Sequence, residues 1–146
     1  MSVQNKLLVC FLILLMAAVS VCAQGERYAQ VFDVSQDSGM LSIRFLWLGP
    51  QAEGAEDKPG DSMILTSPEG KVMVLDAGHP LSCDYVTQAL DAMGITRIDY
   101  LVASHPHIDH IGSFAYLMDR YEIGAVYTSR LDYSSSSYYR AYMDAR

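Results

Sequence analysis

Polar and apolar positions divide the chain into segments of different period. Leu7 to Val19 is an unbroken apolar run of 13 residues, with Lys6 the only basic side chain ahead of it. Such a run is too short to span a bilayer and has the length of a signal-peptide hydrophobic region. Val21-Cys22-Ala23 then supplies small residues for a cleavage site, which predicts residues 1–23 as a signal peptide and Gln24 as the mature start. Lipidation at Cys22 and an uncleaved anchor are the alternatives. Residues 24–39 are polar and read as a leader, and 40–146 as the domain. Met40 to Leu48 is rich in large apolar and β-branched residues and predicts a strand. Pro50 to Gly60 is a charged Gly/Pro loop. Ser62–Thr66 and Val72–Leu75 flank the turn sequence Ser67-Pro68-Glu69-Gly70 and predict a hairpin.

The next period is helical. Val86, Ala89, Leu90 and Met93 recur at i, i+3, i+4 and i+7, with Ser82 in N-cap position and Gly94 where a helix ends. Ile98 to Ala103 is a second buried strand, so strand, helix and strand form a βαβ unit with parallel strands. Ligands bind beyond the carboxyl ends of such strands, and the segments leaving them, Asp76–His79 and Ser104–His110, should converge. A helix is expected from His110 to Arg120, with Ile111, Phe114, Ala115 and Met118 on one face. Ile123 to Tyr127 should be a strand. Ser134–Ser137 should open a helix carrying Tyr138, Tyr139 and Tyr142, whose packing partner is expected to be missing from this chain.

Composition narrows the function classes. The 146 residues carry 10 Lys+Arg against 17 Asp+Glu, a net charge of -7, which opposes a general binder of phosphate backbones. Loss of Lys6 on cleavage would leave the mature chain at -8. Of the three cysteines, Cys83 alone would remain, so no internal disulfide is expected and the domain must rely on its core or a metal. Cys83 reads as a packing residue and His79, before Pro80, as a loop residue.

The chemistry concentrates in one place. Three of the four histidines, His105, His107 and His110, lie within six residues, with Asp109 among them. In extended backbone His105 and His107 point the same way and can grip one ion. The turn after Pro106 swings Asp109 and His110 toward a second. Imidazole and carboxylate at this density suit zinc, with iron or manganese as the other candidates.

His105-x-His107-x-Asp109-His110 after an apolar strand resembles the signature of the metallo-β-lactamase fold. Gly60-Asp61-Ser62-Met63-Ile64-Leu65, Leu75-Asp76-Ala77-Gly78 and Ile98-Asp99-Tyr100-Leu101 precede it in the order found in the metallo-β-lactamase domain of the competence (DNA-uptake) proteins and their secreted relatives. The resemblance implies an α/β fold, the N-terminal half of an αββα sandwich, and a dizinc hydrolase of ester or phosphodiester bonds. His105 and His107 would ligate the first metal, and Asp109 and His110 the second, with Asp109 also positioning the nucleophile. Asp76 would orient a metal-bound histidine by hydrogen bond, whereas Asp61 reads as a turn former. The substrate would be a small molecule or a phosphodiester, with nucleic acid implied by resemblance alone. The location would be extracytoplasmic, with no membrane span after signal cleavage.

One departure matters. Members of the family carry a further histidine, a bridging aspartate and a last histidine in the second half of the fold, but no histidine follows His110 here. Asp119, Asp132 and Asp144 stand in no family-like setting. The first metal would then have two protein ligands, where catalytic zinc normally keeps three. The expectation is the N-terminal part of a longer enzyme, inactive as 146 residues alone. The competing readings are a truncated fragment or extracytoplasmic binding module without catalysis, and an iron-dependent oxygen or thiol enzyme on the same fold.

Overall fold

A computed structural model describes residues 30–49 and 59–146. The proposed signal peptide and cleavage site, the first part of the leader and most of the Pro50–Gly60 loop lie outside the described residues. The chain divides into two compact units, Met1–Asp33 and Val34–Arg146. The second holds all the strands and helices named here.

Five strands, β1 (Ser42–Phe45), β2 (Ser62–Thr66), β3 (Val72–Ala77), β4 (Arg97–Val102) and β5 (Glu122–Tyr127), form one sheet in sequence order. β1–β2 and β2–β3 are antiparallel, β3–β4 and β4–β5 parallel. The hairpin and the βαβ unit are therefore as the sequence predicts. The expected strand over 40–48 shortens to Ser42–Phe45, because its partner β2 begins at Ser62 opposite the end of β1. β3 runs on to Ala77, past the expected Leu75, through an irregularity. Ser62 pairs with Ala77 and Met63 with Leu75, leaving Asp76 as an extra residue. Asp76 has φ 56°, a left-handed conformation that Asp tolerates better than most residues. A bulge of this kind re-aims a side chain at the end of a strand.

One face of the sheet is covered. Arg44, Ile64, Val74 and Leu101 follow one another across the register and are all buried. Arg44 is tolerated there because Asp37 of the leader accepts from both guanidinium NH groups at 2.8 and 2.9 Å. Helix α1 (Cys83–Ala92) joins β3 to β4 and buries Val86, Ala89 and Leu90, with Met93 just beyond its end. It closes as predicted at Gly94, where the Gly94 and Ile95 N–H groups donate to the carbonyls of Asp91 and Leu90. Ser82 occupies the N-cap position but its hydroxyl makes no capping bond, because a 3-10 turn, Pro80–Ser82, already winds into the helix.

The expected single helix after His110 is two pieces, α2 (Ile108–Ile111) and α3 (Phe114–Arg120), broken at Gly112-Ser113. The break rotates the buried stripe to Ile111, Phe114 and Leu117, so Ala115 and Met118 are only half-buried. Helix α4 (Ser137–Ala145) starts on the Ser136 hydroxyl, which accepts from the Tyr139 N–H at 3.3 Å. Of its tyrosines only Tyr142 is fully buried, packed edge-on against Phe114 with ring centroids 5.4 Å apart. The partner expected to be missing is thus α3 of this same chain. Among the described residues no helix is long and apolar enough to cross a membrane.

Candidate metal centre

The segments leaving β3 and β4 do converge, and Asp76 is the joint between them. Its Oδ1 accepts the Ser104 backbone N–H at 2.8 Å and its Oδ2 accepts the Ser104 hydroxyl at 2.6 Å. The same Oδ2 stands 2.8 Å from His110 Nδ1. The carboxylate is 4% exposed, so these three donors replace the water it has lost.

Proton bookkeeping then assigns two tautomers. A carboxylate has no proton to give, so His110 carries its hydrogen on Nδ1. Ser104 has one hydroxyl proton and gives it to Asp76. The 3.0 Å contact between Ser104 Oγ and His105 Nδ1 is therefore filled by a proton on that nitrogen. Both imidazoles keep the Nε2 lone pair free. One buried carboxylate thus presents two imidazoles as ligands, the second through Ser104.

The rings gather closely. His105 and His110 have centroids 3.9 Å apart, nearer than His105 and His107 at 4.6 Å. The Asp109 carboxylate comes within 3.9 Å of His110 Nε2. Asp109 lies inside the first turn of α2, whose N-cap position belongs to His107, so it is not a capping residue. Burial, followed by the neighbouring His110 and His107 imidazoles, holds the His105 pKa below its ordinary value, which favours the neutral, ligating form.

The loop before β2 seats this cluster. The Asp61 N–H donates to the Asp109 carbonyl at 3.3 Å, and the Asp61 carbonyl accepts from the Gly78 N–H at 3.0 Å. Ser62 Oγ donates to the Asp76 carbonyl at 2.9 Å. Gly60 is required here: its φ is +85°, and a Cβ would lie 1.7 Å from the Asp109 carbonyl oxygen. The turn-forming role expected of Asp61 fits these backbone bonds.

Three imidazoles and a carboxylate suit zinc by donor chemistry, and the free Nε2 atoms suit it by protonation. Among the described residues no three His, Cys, Asp or Glu side chains already stand as a formed metal site. The donors are thus gathered but not drawn into a coordination shell.

Ser104 and Tyr133 escaped the sequence reading as site residues. Ser104 follows β4 directly, and its position before His105 was the only signal. The Tyr133 ring lies 5.2 Å from that of His107, reached through the loop after β5, which no local pattern announces. His79 behaves as a loop residue: its Nδ1 accepts the Leu81 N–H at 3.2 Å. Burial raises the Cys83 thiol pKa, which fits the packing role and not a reactive thiolate.

A family model described as the metallo-beta-lactamase superfamily matches residues 55–141. The chain belongs to this superfamily. Endoribonuclease YSH1 of Saccharomyces cerevisiae is 33% identical over 69 residues, covering 46% of this chain and 9% of that protein. Its counterpart in Kluyveromyces lactis is 35% identical over the same length and share. The chain thus matches about a tenth of the length of these relatives. A putative metallo-beta-lactamase of Thermotoga maritima superposes with a TM-score of 0.50 at 17% identity, covering 72% of this chain and 54% of that one. That likeness speaks for the fold, a mixed α/β sheet of the metallo-beta-lactamase kind. A metallo-beta-lactamase of Cronobacter sakazakii is 30% identical over 46% of this chain and 24% of its own, with a TM-score of 0.38.

Proposed function

We propose that the chain supplies the metal-holding part of a zinc-dependent hydrolase of ester or phosphodiester bonds, with two ions in the complete domain. The supporting observation is the network through which Asp76 fixes the tautomers of His110 and, by way of Ser104, His105. His105, His107, Asp109 and His110 would hold the metal. Zinc bound there supplies Lewis acidity and lowers the proton affinity of coordinated water. Asp109 would accept a hydrogen bond from a water held there and orient it, while Asp76, directly at His110 and through Ser104 at His105, holds the hydrogen on Nδ1 so that Nε2 is the ligating atom. The relatives named as endoribonucleases favour a phosphodiester substrate, and the acid excess of this chain favours a short one over a long nucleic acid.

The test titrates a dinucleotide phosphodiester into the 146-residue chain with and without zinc. The reading predicts binding that requires zinc and is lost in His105→Ala, with hydrolysis no faster than that variant because His105 and His107 give the first metal two protein ligands where catalytic zinc keeps three. Diester binding that is the same with and without zinc contradicts it. In the same proposal residues 1–23 direct export and are removed, so N-terminal sequencing of exported protein should begin at Gln24. Intact chain with Met1, recovered only from the cytosol, would refute that part.

A further inference from the structure

His107 differs from the other two imidazoles in what holds it. Nδ1 of His110 is fixed by Asp76, and Nδ1 of His105 by Ser104. The His107 backbone is fixed as well: it is extended, and its carbonyl accepts from the His110 and Ile111 N–H groups, both at 3.0 Å. Its ring, however, is exposed and makes no hydrogen bond among the described residues. What the ring meets is other rings. His105 lies 4.6 Å from it at 73°, and Tyr133 lies 5.2 Å from it at 52°. Both separations fall where the edge of one ring attracts the face of another.

We propose that Tyr133 is a positioning residue of the metal centre, holding the His107 imidazole by ring packing where its two neighbours are held by hydrogen bonds. This rests on the zinc-holding reading of His105, His107, Asp109 and His110. An imidazole ligand needs its ring plane fixed, and groups outside the coordination shell supply that. His105 is already tied to Ser104 and offers His107 one fixed neighbour. Tyr133 supplies the second, because its own backbone is held on both sides. Asp132 Oδ1 accepts the Ser134 N–H at 2.9 Å, and the Tyr133 carbonyl accepts the Ser136 N–H at 2.9 Å. Arg140 of α4 donates to the Ser134 and Ser135 carbonyls at 2.6 and 3.2 Å. The loop is thus tied to the helix that Tyr142 anchors on Phe114. The Tyr133 hydroxyl has no hydrogen-bond partner among the described residues, and the residue is 41% exposed. The ring and not the hydroxyl therefore makes the contact, and its removal takes little from the core.

Zinc titration of the full chain at neutral pH, in competition with a chromophoric chelator, tests this with Tyr133→Ala and Tyr133→Phe. Tyr133→Ala should bind zinc roughly 10-fold more weakly than the wild type, the lower end for losing a partner that orients a ligating histidine. Tyr133→Phe keeps the ring and should match the wild type. In the metal-free protein the His107 ring-proton resonances should move in Tyr133→Ala, and those of His110, which rests on Asp76, should not. Tyr133→Leu keeps bulk without a ring; it should weaken zinc binding likewise, and it is read in place of Tyr133→Ala should that variant not fold. Wild-type zinc affinity in the folded variant without the ring would overturn the proposal and leave the metal reading standing. An equal loss in Tyr133→Phe would also overturn it, since the hydroxyl would then be the acting group. A wild type that binds no zinc would overturn both.

Discussion

Replacing Gly60 by Ala tests how the loop before β2 seats the histidine segment. A Cβ at Gly60 would lie 1.7 Å from the Asp109 carbonyl oxygen, 2.7 Å from its carbon and 3.0 Å from Gly78 Cα, all backbone atoms. An ordinary contact lies near 3.5 Å, so Asp109 and Gly60 must separate by well over about 1 Å. Gly70 provides the control. Its φ of +80° nearly equals the +85° of Gly60, but a Cβ there meets nothing within 4 Å. Both alanines carry the left-handed backbone penalty of about 1–2 kcal/mol. Gly60→Ala alone adds the overpacking term of about 1–3 kcal/mol. Urea denaturation should therefore rank wild type above Gly70→Ala above Gly60→Ala, with melting temperatures separated by about 4 °C per kcal/mol. Zinc affinity should fall in Gly60→Ala and stay unchanged in Gly70→Ala, since only the first displaces Asp109. Equal stability of the two variants, within about 0.5 kcal/mol, would refute the close-approach argument.

Asp76→Asn should cost about 1–3 kcal/mol, because an amide cannot accept from the Ser104 amide, the Ser104 hydroxyl and His110 together. Nitrogen chemical shifts of His110 and His105 should then show mixed tautomers, and unchanged shifts would count against the proton assignment. Asp99 titrates at about 2, held down first by the Val72 N–H, then by the Lys71 ammonium. Its folded pKa lies below the unfolded value of about 4, so its stabilisation is present above about pH 4 and lost as pH falls through about 2. The stability gap between wild type and Asp99→Asn should close over that window in acid titrations, and a gap that persists at the lowest pH would be wrong for this mechanism.

Much of the fold is legible because its periods are local. The hairpin around Ser67–Gly70 and the 3.6-residue stripe of Val86, Ala89, Leu90 and Met93 each declare themselves within a dozen residues. The break at Gly112-Ser113 does not, because the same apolar residues can be drawn as one helix or two, and only tertiary packing chooses Leu117 over Met118. The clustered donors were readable from spacing alone. Their support was only partly so: Asp76 was expected to orient a histidine, but the bulge that aims it arises from pairing between β2 and β3. Ser104 and Gly60 act through neighbours distant in sequence, and one chain without its contacts gives such roles no local mark.

Zinc retention in equilibrium dialysis, comparing wild type with His105→Ala and His107→Ala at neutral pH, is the most direct test of the metal centre. The account predicts that the wild type retains zinc and that each variant loses most of it while keeping its circular dichroism spectrum. Equal retention by all three proteins would mean that His105, His107, Asp109 and His110 are not the metal site.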